Sequence, residues 1–312
     1  MAKKTDQRPE DFIVPLDING MQGRLLHMPA PPKYKNRNIL IAYGHHSSLE
    51  RWWGLAQNFN TYGAVDMPDL PGFGGMDSLF SIGKKPDLDN MADYLASFVK
   101  WRYKRKKVVI VGFSFGFLVA TRMLQRYPEL TQKVEILVSA VGFARYDDLV
   151  FSRRRMFYYR WGTRFFSARV PAWLFRYAFL NTYMLKKFYA GTKTAKDKFT
   201  GADNELIEKL MAMEIILWHS NDVRTHMYTN YQMFVVDNCQ KQIDLPLWHV
   251  TANFDQYFDA HRVEQHLRVI FNEVNIMPVG AGKHAPSVIA DKKEAGAFIP
   301  PKLRRMLADK KS

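Results

Sequence analysis

The stretch VVIVGFSFGFLVATRML, Val108 to Leu124, sets the tightest limit on the fold. It opens as an apolar run of strand length, passes through Gly112-Phe113-Ser114-Phe115-Gly116, and continues in residues that suit a helix. A strand that turns at once into a helix belongs to a layered α/β architecture. Short apolar runs of the same kind lie at residues 38–43, 63–67, 107–113, 134–139, 245–251 and 274–279, most of them separated by segments long enough for helices. Residues 90–102 and 117–127 are candidate helices. This alternation predicts a mainly parallel sheet with helices on both faces and right-handed crossovers. Ligands of such sheets bind beyond the carboxyl ends of the strands. Ahead of the alternation, residues 12–18 and 21–28 flank Asn19-Gly20, the strongest short hairpin signal, and predict two antiparallel strands.

The alternation breaks between Phe143 and Gln242, where only helical or irregular patterns occur. Residues 144–242 therefore read as a helical cap or lid inserted after the sixth strand, between core segments 1–143 and 243–312. The sequence contains no internal repeat and no low-complexity tract. The last residues, 300–312, are basic and are expected to be loosely held.

A Gly-x-Ser-x-Gly pattern is cheap in a chain of this length, so its context has to carry any chemical reading. A serine exposed on a strand-to-helix turn can act as a nucleophile, provided a base takes its proton and an acid orients the base. His284 lies in Gly280-Ala281-Gly282-Lys283-His284, just past the last strand candidate, where a loop can lower an imidazole onto the serine. Asp255 follows the preceding strand in Val250-Thr251-Ala252-Asn253-Phe254-Asp255. The chain order Ser, Asp, His is the one this strand-turn-helix arrangement calls for. Asp259, one helical turn further on, and Asp147 or Asp148, past the 134–139 strand, are alternative acids. His45 and His46 are adjacent, but with no carboxylate cluster nearby in sequence they make a poor metal site.

Together these segments resemble the α/β-hydrolase fold with a cap domain, over about residues 12–143 and 243–299. Tyr43-Gly44-His45-His46 followed by Trp52-Trp53 is similar to the family's His-Gly oxyanion loop, with Tyr43 where the family usually has His. The run from Asp66 to Gly74, DMPDLPGFG, resembles the Asp-x-Pro-Gly-x-Gly segment after the next strand. The resemblance implies an oxyanion held by the backbone amides of His45 and Phe115. Dehalogenases and epoxide hydrolases of this fold use a carboxylate nucleophile, so a serine at this position argues against both. Acyl transfer remains: hydrolysis of an ester, in a carboxylesterase or lipase-like enzyme, through an acyl-serine, with no cofactor required. Thioesterase, peptidase and carbon–carbon bond hydrolase activities on the same triad stay open, as does a non-catalytic member of the fold that binds a ligand or partner.

The chain's 312 residues are 47% hydrophobic and 24% charged, as in globular proteins. A polar N-terminus, the absence of a long apolar run and a single cysteine, Cys239, predict a cytoplasmic protein, soluble or peripheral, without intramolecular disulfides. The formal net charge of +15 favours acidic partners. From Phe151 to Tyr189 there are seven Arg, two Lys, no acidic residue and fourteen aromatics. One reading is a lid whose apolar face closes over an acyl substrate while its basic face meets anionic membrane. The other is a helical cap packed by its aromatics, with arginines outside for solubility. Interleaved basic and aromatic residues also suit single-stranded nucleic acid, but no nucleic-acid motif accompanies them.

Overall fold

Asn19 and Gly20 both have positive φ, 54° and 74°, and join β1 (Ile13–Ile18) to β2 (Met21–Met28) in a tight antiparallel hairpin. The structure, a computed structural model, describes residues 7–191, 204–252, 255–280 and 284–309. Residues 1–6, 192–203, 253–254, 281–283 and 310–312 lie outside the described residues, including parts of the predicted insertion, of both loops read as catalytic and of the basic tail.

Each apolar run of the sequence forms a strand: β3 (Asn38–Ala42), β4 (Ala64–Pro68), β5 (Val108–Phe113), β6 (Val134–Ala140), β7 (Ile243–Ala252) and β8 (Phe271–Val279). They build one eight-stranded sheet in the order β1-β2-β4-β3-β5-β6-β7-β8. β2 runs antiparallel to β4, and the strands from β4 to β8 are parallel to their neighbours. β5 is buried along its whole length, as a central strand covered on both faces must be.

The helices of the alternation are α1 (Trp53–Asn60), α2 (Leu88–Arg102) and α3 (Phe115–Arg126). From β3 the chain moves outward to β4, and from β5 it moves the opposite way to β6. The order therefore reverses between β3 and β5, and a crevice opens at their carboxyl ends. The oxyanion-loop motif leaves β3 there, and Ser114 leaves β5.

Between β6 and β7 the described residues form α4 (Arg153–Phe166), α5 (Arg169–Phe179), α6 (Thr182–Gly191), α7 (Asn204–Ser220) and α8 (Val223–Met233). Ala172, Leu180, Leu185, Val223 and Met227 form an apolar cluster of their own, with Phe166, Phe175 and Trp218 against it. α9 (Ala260–Ile270) joins β7 to β8, and α10 (Lys292–Gly296) packs on α1. Among the described residues no helix is long and apolar enough to cross a membrane.

The C-terminal segment departs from the expectation of a loose tail. It forms α11 (Pro301–Ala308), with Leu303 and Leu307 buried in the core. The Arg37 guanidinium donates to the backbone carbonyls of Leu307 and Asp309. The segment's basic residues mask a two-leucine stripe spaced four apart, enough to dock one short helix face.

Candidate active site

Ser114 sits at φ 46° and ψ −112°, a backbone conformation that non-glycine residues rarely hold without support. The support comes from both sides. Its amide donates to the Ala140 carbonyl on β6 at 3.1 Å, and its own carbonyl accepts from Phe117 and Leu118 in the first turn of α3. The turn closes because Gly112 and Gly116 lack side chains. A Cβ at Gly112 would lie 2.6 Å from the Phe117 Cα, and one at Gly116 would lie 2.1 Å from the Ala42 carbonyl oxygen. The half-buried serine is thus presented at the end of β5, at the positive end of a helix.

Asp255 and His284 come together 29 residues apart in sequence, with His284 Nδ1 2.5 Å from Asp255 Oδ2. The other carboxylate oxygen accepts from the amides of Tyr257 at 2.8 Å and Phe258 at 3.3 Å, which fixes the plane of the group. The Tyr257 and Phe258 rings each lie 5.3 Å from the imidazole and hold its orientation. The pair is shielded, with side chains 8% and 14% exposed. Among the described residues no hydrogen bond joins Ser114 to His284, and such bonds are often long before substrate arrives.

The alternative acids are engaged elsewhere. Asp259 caps α9 by accepting from the amides of His261 and Arg262. Asp148 is fully buried; one oxygen accepts from the amides of Ala144 and Arg145, and the other lies 2.5 Å from His266 Nδ1. Asp147, Asp148 and His266 form the one group of such side chains compact enough to hold a metal ion among the described residues. Asp148 already serves there as a tie between the loop after β6 and α9.

The loop after β3 lies against the serine: a Cβ built on Gly44 would be 3.6 Å from the Ser114 Cβ. Neither the His45 nor the Phe115 amide donates to a protein acceptor among the described residues. Tyr43, where the family usually has His, is completely buried. Its hydroxyl donates to Asp69 Oδ1 at 2.7 Å and accepts from the Leu70 amide at 2.9 Å, binding the loop after β3 to the loop after β4. Arg24 holds the other Asp69 oxygen at 2.9 Å.

His45 Nε2 lies 2.8 Å from Thr229 Oγ1, on α8. The Thr229 hydroxyl also reaches the Thr225 carbonyl at 2.8 Å and the His226 carbonyl at 3.2 Å; with its proton on either carbonyl, it accepts from His45 Nε2–H. Burial, with the adjacent His46, pushes the His45 imidazole down to about 3, so it is neutral and cannot act as a cation. His226 packs against both histidines, tilted to His45 and edge-on to His46 with ring centroids 4.4 and 5.0 Å away, and touches Trp218. Burial and its neighbouring imidazoles hold it well below the usual histidine range, and its Nδ1 is buried without a hydrogen-bond partner among the described residues. His46 is held at φ 53° near Glu214 and Trp218 on α7. These wall residues, His226, Thr229, Trp218 and Glu214, carried no recognisable motif; α7 and α8 bring them to the loop after β3 from more than 160 positions away in sequence.

The alpha/beta hydrolase family model matches residues 43–267, and the chain belongs to that family. No curated protein sequence matches it. Among solved structures it resembles an esterase from Exiguobacterium antarcticum, with 14% identity, a TM-score of 0.66, and 94% of this chain and 97% of that one covered. It also resembles the enol-lactonase from Burkholderia xenovorans, with 13% identity, a TM-score of 0.65, and coverage of 95% and 100%. An epoxide hydrolase aligns with 15% identity, a TM-score of 0.60, and coverage of 95% and 98%. These likenesses concern the fold, which hosts several hydrolytic chemistries.

Proposed function

We propose that this hydrolase is a serine esterase acting through an acyl-serine on a hydrophobic acyl substrate. The observation that carries the reading is the Asp255–His284 hydrogen bond at the strand ends that also present Ser114. With Nδ1–H donated to Asp255, the imidazole keeps its lone pair at Nε2, the atom a general base needs. Ser114 Oγ attacks the ester carbonyl while His284 Nε2 takes the hydroxyl proton. The carbonyl oxygen becomes an oxyanion, and the His45 and Phe115 amides are the donors that stabilise it. The tetrahedral adduct collapses, His284 returns the proton to the departing alkoxide, and the alcohol leaves. Water, deprotonated by the same nitrogen, then attacks the acyl-serine; the second tetrahedral adduct breaks its bond to Ser114 Oγ, which takes the proton back from His284 as the acid leaves.

A carboxylate nucleophile, which epoxide hydrolysis on this fold uses, has no counterpart at Ser114. α7 and α8 reach the oxyanion loop through Trp218 against His46 and Thr229 against His45, and act as its cap. The test is a panel of nitrophenyl esters of increasing acyl length, with a matched thioester and anilide, against the wild type and Ser114→Ala. The reading expects ester turnover that rises with chain length and falls roughly 10⁴-fold or more in the variant. Turnover of the thioester or anilide alone moves the substrate class; turnover of none, by a folded protein, makes it a binding protein.

A further inference from the structure

α5 is apolar on two faces. One face, through Ala172 and Phe175, belongs to the cluster shared with α6, α7 and α8. The other carries Val170, Trp173, Leu174 and Tyr177, spaced as one helix stripe, and these are 64%, 57%, 53% and 64% exposed. α4, which packs beside α5, exposes Phe157, Tyr158, Trp161 and Phe165, and Trp161 stacks on Phe165 with centroids 5.6 Å apart. A helix needs one apolar face to dock on its own fold, and a second left in water costs free energy unless something covers it.

The charge around this face identifies the cover. Arg153, Arg154 and Arg155 occupy the first turn of α4 with no acidic residue beside them, at the end where the helix dipole already disfavours cations. Arg153, Arg154, Arg169, Lys186 and Lys187 are exposed and make no ion pair among the described residues. A two-fold contact with a second copy would press this basic face against itself. Trp and Tyr, with apolar bodies and polar tips, mixed with Val and Leu and rimmed by arginine, match the boundary between lipid headgroups and acyl chains.

We infer that the exposed face of α4 and α5 docks on the surface of an anionic phospholipid bilayer, the aromatic and aliphatic side chains entering the headgroup boundary and the arginines meeting lipid phosphates. None of the catalytic groups lies on α4 or α5, so Ser114→Ala binds as the wild type does.

The experiment is co-sedimentation of the full chain with vesicles of pure phosphatidylcholine and of equal parts phosphatidylcholine and phosphatidylserine, over a salt series. Wild type pellets with the mixed vesicles, increasingly so at low salt, and far less with the neutral ones. Arg153→Gln, Arg154→Gln and Arg169→Gln together weaken binding to mixed vesicles roughly a hundredfold. Trp161→Ser, Trp173→Ser and Tyr177→Ser together abolish it while the thermal melt stays that of the wild type, since these side chains are exposed. Equal binding to both compositions, no binding to either, or binding that both variants retain overturns the proposal. So does a dimer that the aromatic variant dissociates, or salt-sensitive retention of single-stranded DNA, when vesicle binding is absent.

Discussion

Ser114 holds its strained backbone because three independent neighbours leave it no alternative: the Ala140 carbonyl, the first turn of α3 and the loop after β3 closing on Gly116. Strain of this kind costs about 1–3 kcal/mol and persists where the surroundings over-determine it. The Gly-x-Ser-x-Gly spacing made the position legible, since both glycines are there for contacts that a Cβ would block. Asp255 was the acid the chain order favoured, but Asp259 and Asp147 or Asp148 stayed open as alternatives, because all of them follow strands or begin helices and only the tertiary fold brings Asp255 to His284. Thr229 was hidden, 184 residues from the histidine it holds. If the His45–Thr229 hydrogen bond positions the oxyanion loop, Thr229→Val, which keeps the shape and removes the hydroxyl, lowers kcat about tenfold with KM little changed. Thr229→Ser keeps the hydroxyl and restores the rate. An unchanged kcat in the valine variant would make the bond a packing detail.

Among the elements, the central strands were readable because strands buried on both faces are continuous apolar runs. β8 was read three residues short at its start, where exposed Asn272 and Glu273 interrupt the run on this edge strand. α11 was missed because three basic residues and a proline surround its two buried leucines. Its docking is substantial for an eight-residue helix, with Leu307 fully buried and Arg37 donating to its last carbonyls. Leu307→Ala is therefore expected to destabilise the protein by roughly 2–5 kcal/mol. Denaturant melts of the two proteins check this, and a shift within error would mean that the segment frays independently.

At the scale of the whole molecule, several histidines are carried into the interior uncharged. His45 is held at about 3 and His249 at about 4, each chiefly by burial, and His226 is displaced in the same direction. In the unfolded chain these groups titrate near 6.5, so between that value and about 4 the unfolded state binds protons that the folded state refuses. Stability is then fully present above pH 6.5 and falls as the pH drops below it, by up to about 1.4 kcal/mol per pH unit for each histidine. His249, whose Nδ1 lies 2.9 Å from Ser139 Oγ on β6, is the cleanest probe. His249→Gln should reduce the slope of stability against pH by about one proton in this window, read from urea melts between pH 4 and 7. A slope identical to the wild type would place the acid sensitivity elsewhere.

The account as a whole depends on Ser114 being activated by His284, and intact-mass measurement after fluorophosphonate treatment tests that most directly. The prediction is a single adduct on the wild type that is lost in both Ser114→Ala and His284→Ala. A folded wild type that takes up no adduct, with or without detergent, or an adduct that survives the serine substitution, would contradict it.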